Sequence, residues 1–202
     1  MRSAPGGRPR DEKLHRAILQ TTYDLVLQVG FRAVSVESIA ATAGVSKATI
    51  YRRWPNKAAV VMDAFTDRVG SGSLFPKAQS ATESIRLQMR AMARSFRGDD
   101  GALVRALLAE AQFDPELARA FRERWTMPRR KLGIAVVEEA IRQGEMSADI
   151  DPADVIDILY GPIYYRLQMG TGALSNAYVD RIFRRAMKGL GGKDRASRDC
   201  PP

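Results

Sequence analysis

Lys47, Ala48, Tyr51 and Arg52 stand at i, i+1, i+4 and i+5 of one short stretch, which puts all four on one face of a helix. Two cations and a phenol can bond phosphate oxygens, and Lys47 or Arg52 can also reach a guanine edge. Ala48 is small enough to let the helix come close. This is the chemistry of a helix laid against DNA. The same spacing also fits a surface hairpin whose charges are merely solvated. Other chemistry finds little support. One histidine, His15, and one cysteine, Cys200, remove the usual nucleophile–base pairs. There is no GxGxxG and no phosphate-binding loop pattern. His15 sits among charges, reads as exposed, and has no partners spaced for a metal. No catalytic residue, cofactor or metal set is expected, so the chain does not read as an enzyme.

Two short helices must position that face. Ser35 can cap the first, with Glu37 in its first turn, where negative charge suits the helix dipole. Val36, Ile39, Ala40 and Ala43 make its apolar stripe. Gly44 falls where a helix end needs a left-handed residue. Val45 is expected as a buried plug, and Ser46 as the cap of the second helix, about 47–53. Ile50 points back with Val45 toward the first helix. Pro55 stops the second helix, and Trp54, preceding it, is pushed out of helical geometry. Upstream, 11–29 reads as a long helix with Leu14, Ile18, Thr21/Thr22, Leu25 and Val29 inward and Gly30 as its end. Downstream, Asn56 caps a helix to about 69, whose first amides and Lys57 can hold a phosphate.

The charge follows the same stretch. The 202 residues carry a net charge of +9. Residues 1–57 hold ten Lys and Arg against four acids, two thirds of that surplus. A polyanion-binding module needs such a patch, although anionic lipid or plain solubility would also be served by it. Arg8 and Arg10, in a Pro/Gly/Arg-rich opening, suit an arm entering the minor groove or an unstructured tail. No run approaches 18 apolar residues and MRSAPGGRPR has no apolar continuation, so neither a membrane span nor a secretory signal is expected. The cytoplasm is the expected compartment.

Residues 34–57, VSVESIAATAGVSKATIYRRWPNK, resemble the helix-turn-helix of the TetR family of bacterial transcriptional regulators. The resemblance is carried by Ile39, Ala40, Ala43, Gly44, Val45, Ser46, Thr49, Ile50, Tyr51, Trp54, Pro55, Asn56 and Lys57. Family members commonly read IA..AGVS..T.Y..F..K here. This chain has Trp54 where Phe is commoner and Arg53 where His or Tyr often sits, and neither change removes a donor. The resemblance implies an all-α fold, an N-terminal three-helix helix-turn-helix domain plus a C-terminal helical bundle. The expected organisation is a flexible basic arm at 1–10, the DNA-binding domain at 11–70 with its helix-turn-helix at 34–53, an effector-binding and dimerisation domain at 71–190, and a disordered tail at 191–202. Its DNA-binding set is Ser35, Ser46, Lys47, Ala48, Thr49, Tyr51, Arg52 and Lys57, with Arg8 and Arg10.

Beyond the linker GSGSLFPKAQ at 70–79 every stretch reads helical. Pro128 lies inside the pattern of 115–143 and should kink or split it, and Gly161-Pro162 should bend the helix that Asp151 and Pro152 start. Met89, Met92, Phe96, Leu107, Phe121, Trp125, Tyr160 and Tyr164 could surround an adaptable apolar cavity, or could simply be core. The resemblance implies such a pocket for a small effector. Val155, Leu159, Ile163, Leu167, Val179, Ile182, Phe183 and Met187 are more apolar surface than one partner needs, which suggests a two-fold helical interface. The expected function is a sequence-specific DNA-binding regulator, a homodimeric repressor released from a palindromic double-stranded operator by a small molecule. A DNA-binding dimer without a switch, or an enzyme using the C-terminal cavity, are the alternatives.

Overall fold

The computed structural model describes residues 8–70 and 74–190, which are helical without a strand. The expected tail at 191–202, and the expected arm up to residue 7, lie outside the described residues. The backbone of 8–10 already belongs to the first helix, which therefore starts at Arg8 instead of residue 11; the side chains of Arg8 and Arg10 lie outside the description.

The order is α1 (Arg8–Ala33), α2 (Val36–Thr42), α3 (Lys47–Tyr51), α4 (Lys57–Val69), α5 (Ala81–Ser95), α6 (Asp99–Glu110), α7 (Pro115–Phe121), a π-helical turn (Arg122–Thr126), α8 (Met127–Arg142), α9 (Pro152–Met169) and α10 (Asn176–Leu190). Gly30, at φ 79°, breaks the helical geometry near the end of α1. Pro128 stands at the second position of α8, directly after the π-helical turn. A proline there cannot donate to the carbonyl of Arg124, and the wider turn accommodates that loss. By contrast α9 runs unbroken through Gly161-Pro162.

Two compact units form. The first takes in residues 8–70 and 106–126, so a segment expected in the C-terminal domain joins the helix-turn-helix. Here α1 packs on α4, and α4 on α7 and the π-helical turn. The inward face of α1 is Ile18, Leu19, Thr22, Tyr23 and Val26, while Leu25 is half-buried and Val29 exposed. The stripe lies about one position later than expected, because Tyr23 and Leu19 go inward. Phe65 stacks with Phe121 at a ring distance of 6.4 Å and meets Trp125 at a tilt, at 4.5 Å.

The second unit takes in 74–105 and 127–190. In it α5 packs on α8 and α10, and α9 on both of those helices. Its core includes Ile85, Met89, Val137, Val155, Leu159, Ile163, Leu167 and Val179. Arg86 and Arg90 of α5 both donate to Asp180 of α10, fastening the two helices at their half-buried edge. Gly101 is fixed by space: a Cβ there would come within 2.0 Å of the Phe96 carbonyl oxygen.

Candidate nucleic-acid interface

The helix-turn-helix is built by local hydrogen bonds that the sequence dictates. Ser35 accepts the Ser38 N–H, and the Ser38 hydroxyl accepts the Ser35 N–H, both at 3.0 Å. This reciprocal cap satisfies two donors that a helix start leaves open. Gly44, at φ 65°, makes the left-handed step out of α2 that a side chain would disfavour. Val45 after it is half-buried, less enclosed than a plug. Ser46 then caps α3 by accepting the Thr49 N–H at 3.2 Å, and its hydroxyl meets that of Thr49 at 3.0 Å.

Ile50 is fully buried and orients α3. Lys47, Ala48, Tyr51 and Arg52 are exposed, and Tyr51 shows 52% of its surface although it is aromatic. The face expected to meet DNA is thus presented as one surface. The three hydroxyls of the expected set, on Ser35, Ser46 and Thr49, are drawn into the caps. Lys57 is placed differently from a free phosphate ligand. Its ammonium donates to the Phe31 carbonyl at 2.9 Å and lies 4.2 Å over the Phe31 ring. It ties the start of α4 to the end of α1.

The mount behind α3 brings in Asp63 and Arg124, which the sequence did not single out. Trp54 is buried, and its indole N–H donates to Asp63 Oδ2 at 2.7 Å. The other oxygen of Asp63 accepts from Arg124 in the π-helical turn. One carboxylate therefore holds Trp54, three residues past the end of α3, and the turn before α8. His15, expected to be exposed, is half-buried and stacks on Trp54 at 5.1 Å and 14°. Arg53 pairs with Asp11 of α1. Sequence carries only a faint sign of these contacts: a tryptophan followed by proline is local, but Asp63 and Arg124 are 61 residues apart.

The residues expected around an effector fall into both units. Leu107, Phe121 and Trp125 are core of the first, with Phe121 and Trp125 both packed against Phe65. Met89, Met92, Phe96, Tyr160 and Tyr164 belong to the second. There the Tyr160 hydroxyl donates to the buried Gln88 side chain at 2.5 Å, and burial pushes the Tyr160 phenol well above its ordinary value. Phe96 meets Tyr164 edge-on at 5.7 Å. Burial lowers the Arg129 guanidinium to about 10, opposed by Tyr164. A cleft of about 320 Å³ on this unit is lined by Arg86, Asp180, Phe183, Arg184 and Met187, and contains none of the pocket residues expected from sequence.

Of the residues expected to meet a second copy, Val155, Leu159, Ile163, Leu167 and Val179 are core of their own protomer. Ile182, Phe183 and Met187 are half-buried. The exposed apolar residues of α9 are instead Ile158, Tyr165 and Met169, at 49%, 60% and 63%. Their spacing of seven and four puts them on one face. Among the described residues no helix is long and apolar enough to cross a membrane, and no three metal-binding side chains cluster.

Comparison with known proteins agrees with this architecture over nearly its whole length. Residues 18–64 match the family described as bacterial regulatory proteins, tetR family. Residues 75–186 match the tetracyclin repressor-like C-terminal domain. The chain is 40% identical to the HTH-type transcriptional regulator YdeS of Bacillus subtilis, over 91% of this chain and 93% of that protein. It is 29% identical to the DNA-binding transcriptional repressor TetR of Mycobacteroides abscessus, over 86% and 91% of the two chains. Among solved structures, the TetR family transcription regulator SCO0332 superposes with a TM-score of 0.75 at 27% identity, over 88% of this chain and 98% of that one. The chain belongs to the TetR family of helix-turn-helix, DNA-binding transcriptional regulators.

Proposed function

We propose that the protein is a homodimeric repressor that seats two copies of α3 in successive major grooves of a palindromic operator and leaves it when a small molecule binds. The observation that carries this reading is the presented face of α3, with Lys47, Ala48, Tyr51 and Arg52 exposed on a helix held from behind by Ile50. A helix this short touches few base pairs, each discriminating by about 1–3 kcal/mol. Two copies roughly 34 Å apart double that discrimination. Arg52 and Tyr51 position the helix on phosphate, and Lys47 and Ala48 face the bases. Ser35, Ser46 and Thr49 support the interface through the caps, and Arg8 and Arg10 add charge at the start of α1. Lys57 acts by joining α4 to α1.

The second copy docks on Ile158, Tyr165 and Met169 of α9 with the half-buried Ile182, Phe183 and Met187 of α10. The effector lies among Met89, Met92, Phe96, Tyr160 and Tyr164, where the Tyr160–Gln88 pair offers polar atoms within apolar surroundings. Its leverage is limited to the difference in its affinity for the two forms. The protein works in the cytoplasm as a binding protein, without catalysis.

Fluorescence anisotropy with the DNA upstream of the protein's own gene tests this reading, using excess unrelated duplex and a salt series. Tight binding that survives competitor, at two chains per site or a multiple of two, is expected. Binding that disappears with salt and competitor would reduce the interaction to phosphate attraction and count against an operator there. A thermal-shift screen against small apolar compounds checks the switch; stabilisation by none of them favours a DNA-binding dimer without one.

A further inference from the structure

Glu37 lies in the first turn of α2 and Lys47 opens α3. The Lys47 ammonium donates to Glu37 Oε1 at 3.0 Å across the turn. Both side chains are largely in water, at 57% for Lys47 and 60% for Glu37. An ion pair so exposed adds little to folding. Its position matters more, because Lys47 is one of the two cations on the α3 face. The lysine holds the Glu37 carboxyl below its ordinary value, and the two opposite charges offset each other within the pair. Among the described residues Arg52 has no carboxylate partner, so the two cations of the face are in unlike states.

The cost of opening the pair depends on the sequence beneath it. If Lys47 turned to a phosphate, the Glu37 carboxylate would be left alone beside a polyanion. The closed pair is then preferred, and it releases no counterion. A G·C pair offers something different. Guanine presents the acceptors O6 and N7 to the major groove, and cytosine presents its N4 amino donor. O6 and N4 are hydrogen-bonded neighbours in the pair, so a donor and an acceptor already held side by side can meet both. Lys47 then donates to guanine while Glu37 accepts from cytosine, and neither charge is orphaned.

We propose that Glu37 is a specificity-determining residue of the DNA interface, keeping Lys47 from indiscriminate phosphate contact and releasing it at a G·C pair. This rests on the reading of α3 as the element that meets DNA. Because both side chains are exposed, Glu37→Gln and the double variant Glu37→Gln/Lys47→Gln should fold as the parent does, which a thermal melt checks. The salt dependence of binding to an unrelated mixed-sequence duplex then separates the possibilities. Glu37→Gln should steepen the slope of log K against log salt by about 0.9 per contacting protomer, and the double variant Glu37→Gln/Lys47→Gln, which removes both charges together, should leave the parent slope unchanged. The reverse pattern, with the double variant flattening the slope by about 0.9 and Glu37→Gln changing nothing, would mean that Lys47 already lies on phosphate and overturns the proposal.

Selection from a random duplex pool gives the second readout. The parent should enrich a G·C pair at one fixed position per half-site, and Glu37→Gln should weaken that preference by roughly five- to a hundredfold. Equal enrichment at every position by both proteins also overturns the proposal. Should the parent enrich no sequence, the regulator reading fails, and the two salt slopes still decide what the pair does.

Discussion

Lys57 and Arg52 are both cations of the helix-turn-helix, yet the structure gives them different work. Arg52 is exposed beside Tyr51 at the end of α3, whereas Lys57 is committed to the Phe31 carbonyl and ring. Replacing Lys57 with Met should therefore act on stability first. The lost hydrogen bond is worth about 1 kcal/mol. For a chain of this length that lowers the melting temperature by roughly 2–4 °C, readable by circular dichroism. Arg52→Ala should leave the melt unchanged, weaken binding alike on every duplex tested, and flatten the salt slope by about 1 per protomer. Tyr51→Ala should also weaken all duplexes, with a smaller change in slope because the phenol is neutral. Equal melting losses for Lys57→Met and Arg52→Ala would contradict this division of labour.

Among elements, the link between α5 and α10 makes the clearest case. Arg86 and Arg90 hold Asp180, and Arg86 also holds Glu83, so both carboxyls lie below their ordinary values. A depressed carboxyl stabilises the fold above its unfolded value, near about pH 4, and that contribution is lost as pH falls through the lower folded value. Asp180→Asn should lower stability by about 1–2 kcal/mol at neutral pH, discounted for partial exposure. The gap between urea midpoints of parent and variant should narrow in acid; a gap that does not depend on pH would assign the loss to shape and not charge. Such cross-helix links were not legible in the sequence, since Arg90 and Asp180 lie 90 residues apart. The helix starts were, because a cap acts within three residues: Ser35, Ser46, Asn56 and Asp151 all stand where their side chains accept the next free N–H. Periodicity was less informative for α9. It showed apolar residues on most sides, but it could not say that Val155, Leu159 and Ile163 face the protomer's own core while Ile158 and Tyr165 face out. Of the candidate interface, the α3 face was readable from spacing. Its supports, Asp63, His15 and Arg124, depend on contacts that spacing does not record.

At the scale of the whole molecule, the two sides of α9 lead to opposite expectations. Tyr165→Arg places charge on an exposed aromatic position and should yield a folded monomer with much weaker operator binding. Val155→Asp buries an unpaired carboxyl in the protomer and should unfold the unit instead. Sedimentation velocity together with circular dichroism distinguishes these outcomes, and a Tyr165→Arg protein that remains dimeric would move the interface elsewhere. The tryptophans have a bearing on how any such unfolding is watched. The chain has two, Trp54 and Trp125, and both are buried in the unit that carries the helix-turn-helix. Indole emission is accordingly blind to half of the protein, while far-ultraviolet dichroism sees every helix. A denaturation followed by both signals carries a built-in comparison: coincident curves mean that the two units melt as one, and an emission change that runs ahead or behind dates the loss of the DNA-reading half separately.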